Sequence, residues 1–184
     1  MGNVKKSYTN IAVKWAVIYV ITSIVITYAF QFLNVDQTSS VKYLGYIPFI
    51  AFLLLAQKEY KDQLGGFITF GEGFMAGFIY SVIGGVILAV FIYIYLGILS
   101  PQVLEQSLAA QHDKFVEKGM SEDQIKQATD ITRKYGAILG AVATLFVIPI
   151  FGAIVALIGA AIFKKERSLG DIERDSSSYT DPAV

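Results

Sequence analysis

From Trp15 to Leu33 the chain runs nineteen residues without a charged side chain. A helix of that length covers about 28 Å at ~1.5 Å per residue, close to the roughly 30 Å hydrocarbon core of a bilayer. Three more apolar runs follow: Val41 to Ala56, Phe74 to Leu99 and Gly136 to Phe163. The second holds Lys42 near its start and Pro48 inside. It is short for a span unless Lys42 snorkels outward and Gln57 to Tyr60 continue the helix inward. The third, at twenty-six residues, is longer than a bilayer requires and predicts tilt or protrusion. Composition supports lipid as the solvent. The chain is 54% hydrophobic and 16% charged, whereas soluble domains carry about 25% charge. A soluble fold of 184 residues has too little interior to hide that much apolar surface. The expected fold is all-α, a polytopic membrane protein with spans near 15–33, 41–60, 74–99 and 136–163.

The first run is too long for the apolar region of a cleaved signal peptide. It also ends in Tyr28-Ala29-Phe30-Gln31-Phe32, which offers no small-x-small cleavage site, so it reads as an uncleaved helix. Residues 1–14 form a basic tail with Lys5, Lys6 and Lys14. Gly65-Gly66 breaks the chain before the third span, and Thr69-Phe70-Gly71-Glu72 has the spacing of a capping box. Ser100-Pro101 predicts an N-cap followed by a first helical residue. Leu104, Leu108 and Phe115 share one face of the helix that follows, and Gly119 stops it. Ser121-Glu122-Asp123-Gln124 is a second capping box. Its helix runs through Ile125, Ala128 and Thr132, with direct continuation into the last span left open. Residues 101–118 and 122–134 thus make a polar helical hairpin within 100–135, resting on its own second helix, on headgroups or on a partner. Residues 164–184 read as a disordered polar tail.

Four spans put both termini on one side. That side carries Lys5, Lys6, Lys14, Lys58, Lys61, Lys164, Lys165, Arg167 and Arg174, nine bases. The other carries Lys42, Lys114, Lys118, Lys126, Arg133 and Lys134, six. The positive-inside rule assigns the richer side to the cytoplasm and the hairpin to the outside. Trp15 and Tyr60 would mark one interface, and Tyr28, Tyr43, Tyr46, Tyr93 and Tyr95 the other.

Little chemistry is on offer. There is no cysteine and one histidine, His112, so thiolate sites and histidine cages are excluded. Fifteen bases balance fifteen acids, leaving no global field for nucleic acid. No phosphate loop, nucleophile elbow or HExxH motif occurs. His112 and Asp113 are adjacent, and neighbours in sequence do not share a helical face. No apolar run holds a charge in its interior, unlike proton pumps and most ion-coupled transporters. Thr22, Ser23, Thr27, Ser81 and Thr144 supply hydroxyls that bond mainly within or between helices. Glu72 is the acid closest to a span; a helix cap is favoured over an ion site at the membrane mouth. Small residues recur every fourth position at Gly73, Gly77, Ser81 and Gly85, again at Gly136, Gly140 and Thr144, and again at Gly152, Ala156 and Ala160. Such faces pack helices closely in lipid. Packing within the bundle is favoured over a homodimer seam.

Three segments carry a family resemblance: Ala12-Val13-Lys14-Trp15-Ala16; Lys58-Glu59-Tyr60 with Gly65-Gly66-Phe67-Ile68-Thr69-Phe70-Gly71-Glu72; and Gly119-Met120-Ser121-Glu122-Asp123-Gln124-Ile125. With the span spacing, the chain resembles domain-of-unknown-function family four-one-nine-nine over nearly all of residues 8 to 165. Gly73 stands where that pattern has alanine. The resemblance implies a four-helix integral membrane protein of the bacterial envelope, found mainly in Bacteroidota, and implies no activity. The expectation is a non-enzymatic scaffold or accessory subunit of the inner membrane, with no catalytic, cofactor or metal residues. Its contacts are lipid and, through the Gly/Ala faces or residues 100–135, a second copy or a protein partner. The alternative is a small oligomeric transporter or channel subunit, resting on the glycine faces, Pro48, Pro149 and Glu72.

Overall fold

The computed structural model describes residues 7–33, 35 and 40–168. Five α-helices follow one another: α1 (Tyr8–Phe32), α2 (Tyr46–Gln63), α3 (Phe70–Ile94), α4 (Pro101–Glu117) and α5 (Glu122–Phe163). A 3-10 turn, Ser40–Gly45, precedes α2, and a π-helical turn, Tyr95–Leu99, closes α3. Among the described residues there is no strand, only an isolated bridge between Ile68 and Lys165.

Helix ends follow local chemistry. Both capping boxes form: Thr69 with Glu72 at the start of α3, and Ser121 with Gln124 at the start of α5. Gly65 and Gly119 take positive φ, 81° and 75°, where any side chain would be strained. After Gly119, the Met120 amide donates to the Phe115 carbonyl at 3.1 Å and the Gly119 amide to Val116 at 2.9 Å, a Schellman closure of α4. The Gly65-Gly66 pair closes α2 the same way, onto Asp62 and Lys61. Pro48 sits in the first turn of α2, where its missing amide costs no hydrogen bond. Its ring bars a regular α-turn from extending further back, which is why 40–45 winds as 3-10 rather than joining a span from 41.

Several boundaries differ from the sequence reading. α1 starts at Tyr8, capped by Ser7, so Lys14 lies within the helix and not in a tail ending at 14. The continuation left open between the second hairpin helix and the last span is present: α5 is one helix of 42 residues. Residues 164–168 are not free: Lys165 exchanges two backbone hydrogen bonds with Ile68, 2.9 and 3.0 Å. Residues 169–184 lie outside the described residues, as do the side chain of Lys42 and its expected snorkelling.

Among the described residues three helices are long and apolar enough to cross a membrane: α1, α3 with its π turn, and α5. α2 does not qualify, since Lys58, Glu59, Lys61 and Asp62 fill its second half. It packs into the bundle nonetheless, burying Phe49, Leu53, Ala56, Gln57 and Tyr60 along one face. The outward faces are apolar: Ile150, Ile154, Ile158 and Ile162 on α5, Ile21 and Val25 on α1, Val86 and Val90 on α3 are all exposed. Such faces suit lipid and would aggregate in water.

The centre is the antiparallel pair α3 and α5, and here the small residues find their partners. A Cβ on Gly73 would lie 3.4 Å from Ala160, one on Gly77 2.9 Å from Ala156, one on Gly152 2.1 Å from Ser81, and one on Gly85 3.1 Å from Pro149. The stripes of the third and fourth apolar runs therefore face each other within one chain. The steps of four from Gly73 through Gly77 to Ser81 are matched by steps of four back from Ala160 through Ala156 to Gly152. Alanine at 73 would need only a slight adjustment. Tyr19, Phe49 and Tyr80 fill the middle between α1, α2 and α3, with centroids 5.2 Å apart for Tyr19–Phe49 and 5.5 Å for Phe49–Tyr80.

Candidate functional site

Four polar clusters remain once the apolar packing is set aside. The first lies at one end of α1 and α2. The Glu59 carboxylate accepts from the Trp15 indole at 2.8 Å, from Gln63 at 3.1 Å and from the Lys14 ammonium. Trp15 stacks on Phe52, and Tyr8 meets Tyr60 edge-on at 5.8 Å. Trp15 and Tyr60 thus share one end of the bundle, and Tyr28 and Tyr95 meet at the other, 5.8 Å apart. Tyr60 is buried, not spread at an interface. With every oxygen engaged, Glu59 fastens α1 to α2 and leaves no free base.

The second cluster is Gln57, which the sequence reading passed over. It is completely buried at the meeting of α2, α3 and α5. Its amide nitrogen donates to the Gly73 and Ala156 carbonyls, each at 2.9 Å. Both acceptors are carbonyls, so the nitrogen must point there and the oxygen away. That oxygen has no hydrogen-bond partner. A Cβ built on Gly159 would lie 1.9 Å from it, so the Gly159 Cα–H bond that a side chain would replace is aimed at the oxygen. The clue was available: a glutamine at the edge of an apolar run, between stripes of small residues.

The third is the start of α3. The Glu72 carboxylate accepts from the Thr69 amide at 3.1 Å and the Thr69 hydroxyl at 2.9 Å, while the Glu72 amide donates to Thr69 Oγ1 at 3.3 Å. Glu72 therefore serves as a cap. Ser100 behaves otherwise. It makes no side-chain cap on α4, and its buried hydroxyl faces Gln31 instead, 3.2 Å from the amide nitrogen. Tyr95 also donates to Gln31, at 3.2 Å. The serine hydroxyl ties α1 to the turn after α3 because buried polar groups take tertiary partners when water is excluded.

The fourth is the contact of α4 with the first part of α5. Arg133 grips Glu105 in a two-pronged pair, Nε to Oε1 at 2.7 Å and Nη2 to Oε2 at 2.9 Å. That pair holds the exposed Glu105 carboxyl below the usual range. Leu108 and Ile125 are buried, and Gly136 lies under Leu104. The stripe of Leu104, Leu108 and Phe115 is the protected side of α4, and the surface beneath it is α5. His112 Nδ1 stands 3.5 Å from Asp113 Oδ1, with both side chains largely in solvent.

Thr22, Thr27 and Thr144 each donate to the carbonyl four residues back, and Ser81 to the one three back. No group of three or more metal-ligating side chains exists among the described residues. Across the four clusters most polar side chains hold one helix to another or cap a helix end; the Gln57 oxygen, buried without a hydrogen-bond partner, is an exception. The family model described as "Protein of unknown function (DUF4199)" matches residues 14–165. The chain belongs to the DUF4199 family. No curated protein and no solved structure matches it. The Lys14–Trp15–Glu59 cluster, the Thr69–Glu72 cap and the Ser121–Gln124 cap all fall inside the DUF4199 match.

Proposed function

We propose that the chain is a non-enzymatic scaffold or accessory subunit of the bacterial inner membrane. It spans four times, through α1, α2, α3 and α5, with both termini cytoplasmic. α4 and the first turns of α5 stand outside as the presented surface. One observation carries this reading. The α4–α5 contact is held by buried Leu108 and Ile125 and by the Glu105–Arg133 pair, while Gln106 and Ala110 on its far side are exposed. A rigid unit with an open face is the form of a docking element. The bundle beneath supports the same reading. Its central seam is closed by glycine against alanine and serine, and the amide nitrogen of Gln57 and the Ser81 hydroxyl are both hydrogen-bonded within the chain. A packed seam argues against a water path through a single copy.

The test is a photo-crosslinking residue at 106 or 110 in native membranes. A discrete adduct with a different protein is expected. Adducts with a second copy, joined with ion leakage in reconstituted vesicles, would favour the channel reading. For orientation, impermeant thiol labelling from outside should reach His112→Cys and miss Lys5→Cys and Asp175→Cys. The reverse pattern would overturn the topology.

A further inference from the structure

Where α3, α4 and α5 meet, the chain leaves a cleft of about 520 Å³, within the range of about 300–1,000 Å³ that houses small ligands. Local structure creates it. The π turn at the end of α3 is wider than an α-turn, and Gly97 within it carries no side chain. The chain then swings through Ser100-Pro101 into α4, which first touches α5 where Leu104 covers Gly136. Leu96, Gly97 and Ala137 line the cleft on its apolar side, and Gln102 and Lys134 on its polar side.

Two bases reach this cleft, and they differ. Arg133 is compensated: Glu105 takes two of its N–H groups, and Asp130 stands 3.5 Å from a third nitrogen. Lys134 has no carboxylate partner among the described residues, and its ammonium lies 5.1 Å over the Tyr135 ring. Among the charged side chains that line the cleft, Glu105 offsets Arg133 and Lys134 is left without a paired carboxylate. Two exposed isoleucines also line it, Ile98 at 70% and Ile138 at 49%. From them an exposed apolar track continues along the span-forming parts of both helices, through Ile94 on α3 and Val142 on α5. Tyr93 and Tyr135, amphipathic rings suited to a membrane boundary, flank the same level.

An occupant matching all of this has one negative charge, a compact polar body and an apolar tail pointing into the membrane. We propose that the cleft is a phospholipid site. The phosphodiester sits at the Lys134 ammonium, the glycerol backbone enters the cleft beside Gln102, and the acyl chains lie along Ile98, Ile94, Ile138 and Val142. The assignment holds in either orientation, because the cleft lies where α3 ends and the apolar part of α5 begins. A free phosphate would match the charge but leave the apolar track unused.

The test is native mass spectrometry of the full chain, purified in detergent with phosphatidylglycerol added. Diacylglycerol with the same acyl chains serves as the phosphate-free probe, and glycerol 3-phosphate as the tail-free competitor. A lysine near a membrane surface contributes about 1 kcal/mol to anionic lipid binding, roughly fivefold in affinity. Lys134→Gln should therefore lower phosphatidylglycerol retention about fivefold. Lys126→Gln, on the same helix but off the cleft, should leave it unchanged. Gly97→Val, which narrows the cleft without touching charge, should lower retention as well. Wild-type retention in Lys134→Gln, equal retention of diacylglycerol, or displacement of the lipid by millimolar glycerol 3-phosphate would each overturn the proposal.

Discussion

Gly159→Ala puts the central packing to its hardest test. The new Cβ would fall 1.9 Å from Gln57 Oε1, 2.9 Å from its Cδ and 2.7 Å from Leu54 Cδ2. Leu54 is only partly buried and can swing aside. Gln57 cannot: it is completely buried, and its nitrogen is pinned to two carbonyls. Moving the amide breaks both bonds or drives α5 away from α2. Overpacking costs about 1–3 kcal/mol, and interhelical hydrogen bonds in membranes average about 0.6 and reach about 1.7 kcal/mol each. Together the substitution should cost about 2–6 kcal/mol. The assay is reversible unfolding in mixed micelles, followed by the single tryptophan, Trp15, whose ring stacks on Phe52 across α1 and α2. The decisive control is the double-mutant cycle with Gln57→Ala. With the amide gone the Cβ has room, and Gly159→Ala should then cost less than about 1 kcal/mol. A wild-type stability within about 0.5 kcal/mol for Gly159→Ala, or an equal cost in both backgrounds, would refute the account of Gln57 as the pinned centre.

Three further outcomes follow from the caps and the α4 contact. Thr69→Ala should cost about 1 kcal/mol, the usual value of an N-cap, whereas Glu72→Gln keeps a capping side chain and should be nearly silent; loss of function at normal protein levels in Glu72→Gln would mark a working carboxylate. Arg133 holds the Glu105 carboxyl below its usual range, so the contribution of that pair is complete at neutral pH and fades as the pH falls below the ordinary carboxylate value of about 4.3. Hydrogen exchange of α4 should therefore quicken on acidification in the wild type, and an unchanged acid response in Glu105→Gln would remove the pair from the explanation. Spin labels along 101–117 should show a helical period with 104, 108 and 115 protected; uniform fast motion would mean that α4 is not docked on α5.

Much was legible in the sequence because it depends on near neighbours. Capping boxes at Thr69 and Ser121, the glycine stop at 119 and the apolar lengths of α1, α3 and α5 each depend on residues within a few turns of one another. The absence of motifs at catalytic spacing was equally plain. Boundaries slipped where periodicity and charge disagree. α1 runs back through Lys14 because a helix does not end where its lipid-compatible stretch ends. α2 begins at Tyr46 and not at 41, because an apolar run does not by itself show where Pro48 lets an α-turn begin.

By itself, then, the sequence determined that this chain belongs in lipid, which segments are helical and where most helices are capped, since solvent preference and capping are local free energies. The tertiary structure alone decided which surfaces meet. The small-residue stripes favoured packing within the bundle over a dimer seam, but only the fold shows α3 and α5 setting Gly77 against Ala156 and Ser81 against Gly152. Ser100 has the sequence of a cap, yet its hydroxyl goes to Gln31, 69 residues away. Gln57 reads as one polar residue near a charged patch, and it becomes the buried centre only because carbonyls 16 and 99 residues distant converge on its amide. In a membrane interior a polar group must find such a partner, and which partner is within reach is settled by how the helices pack.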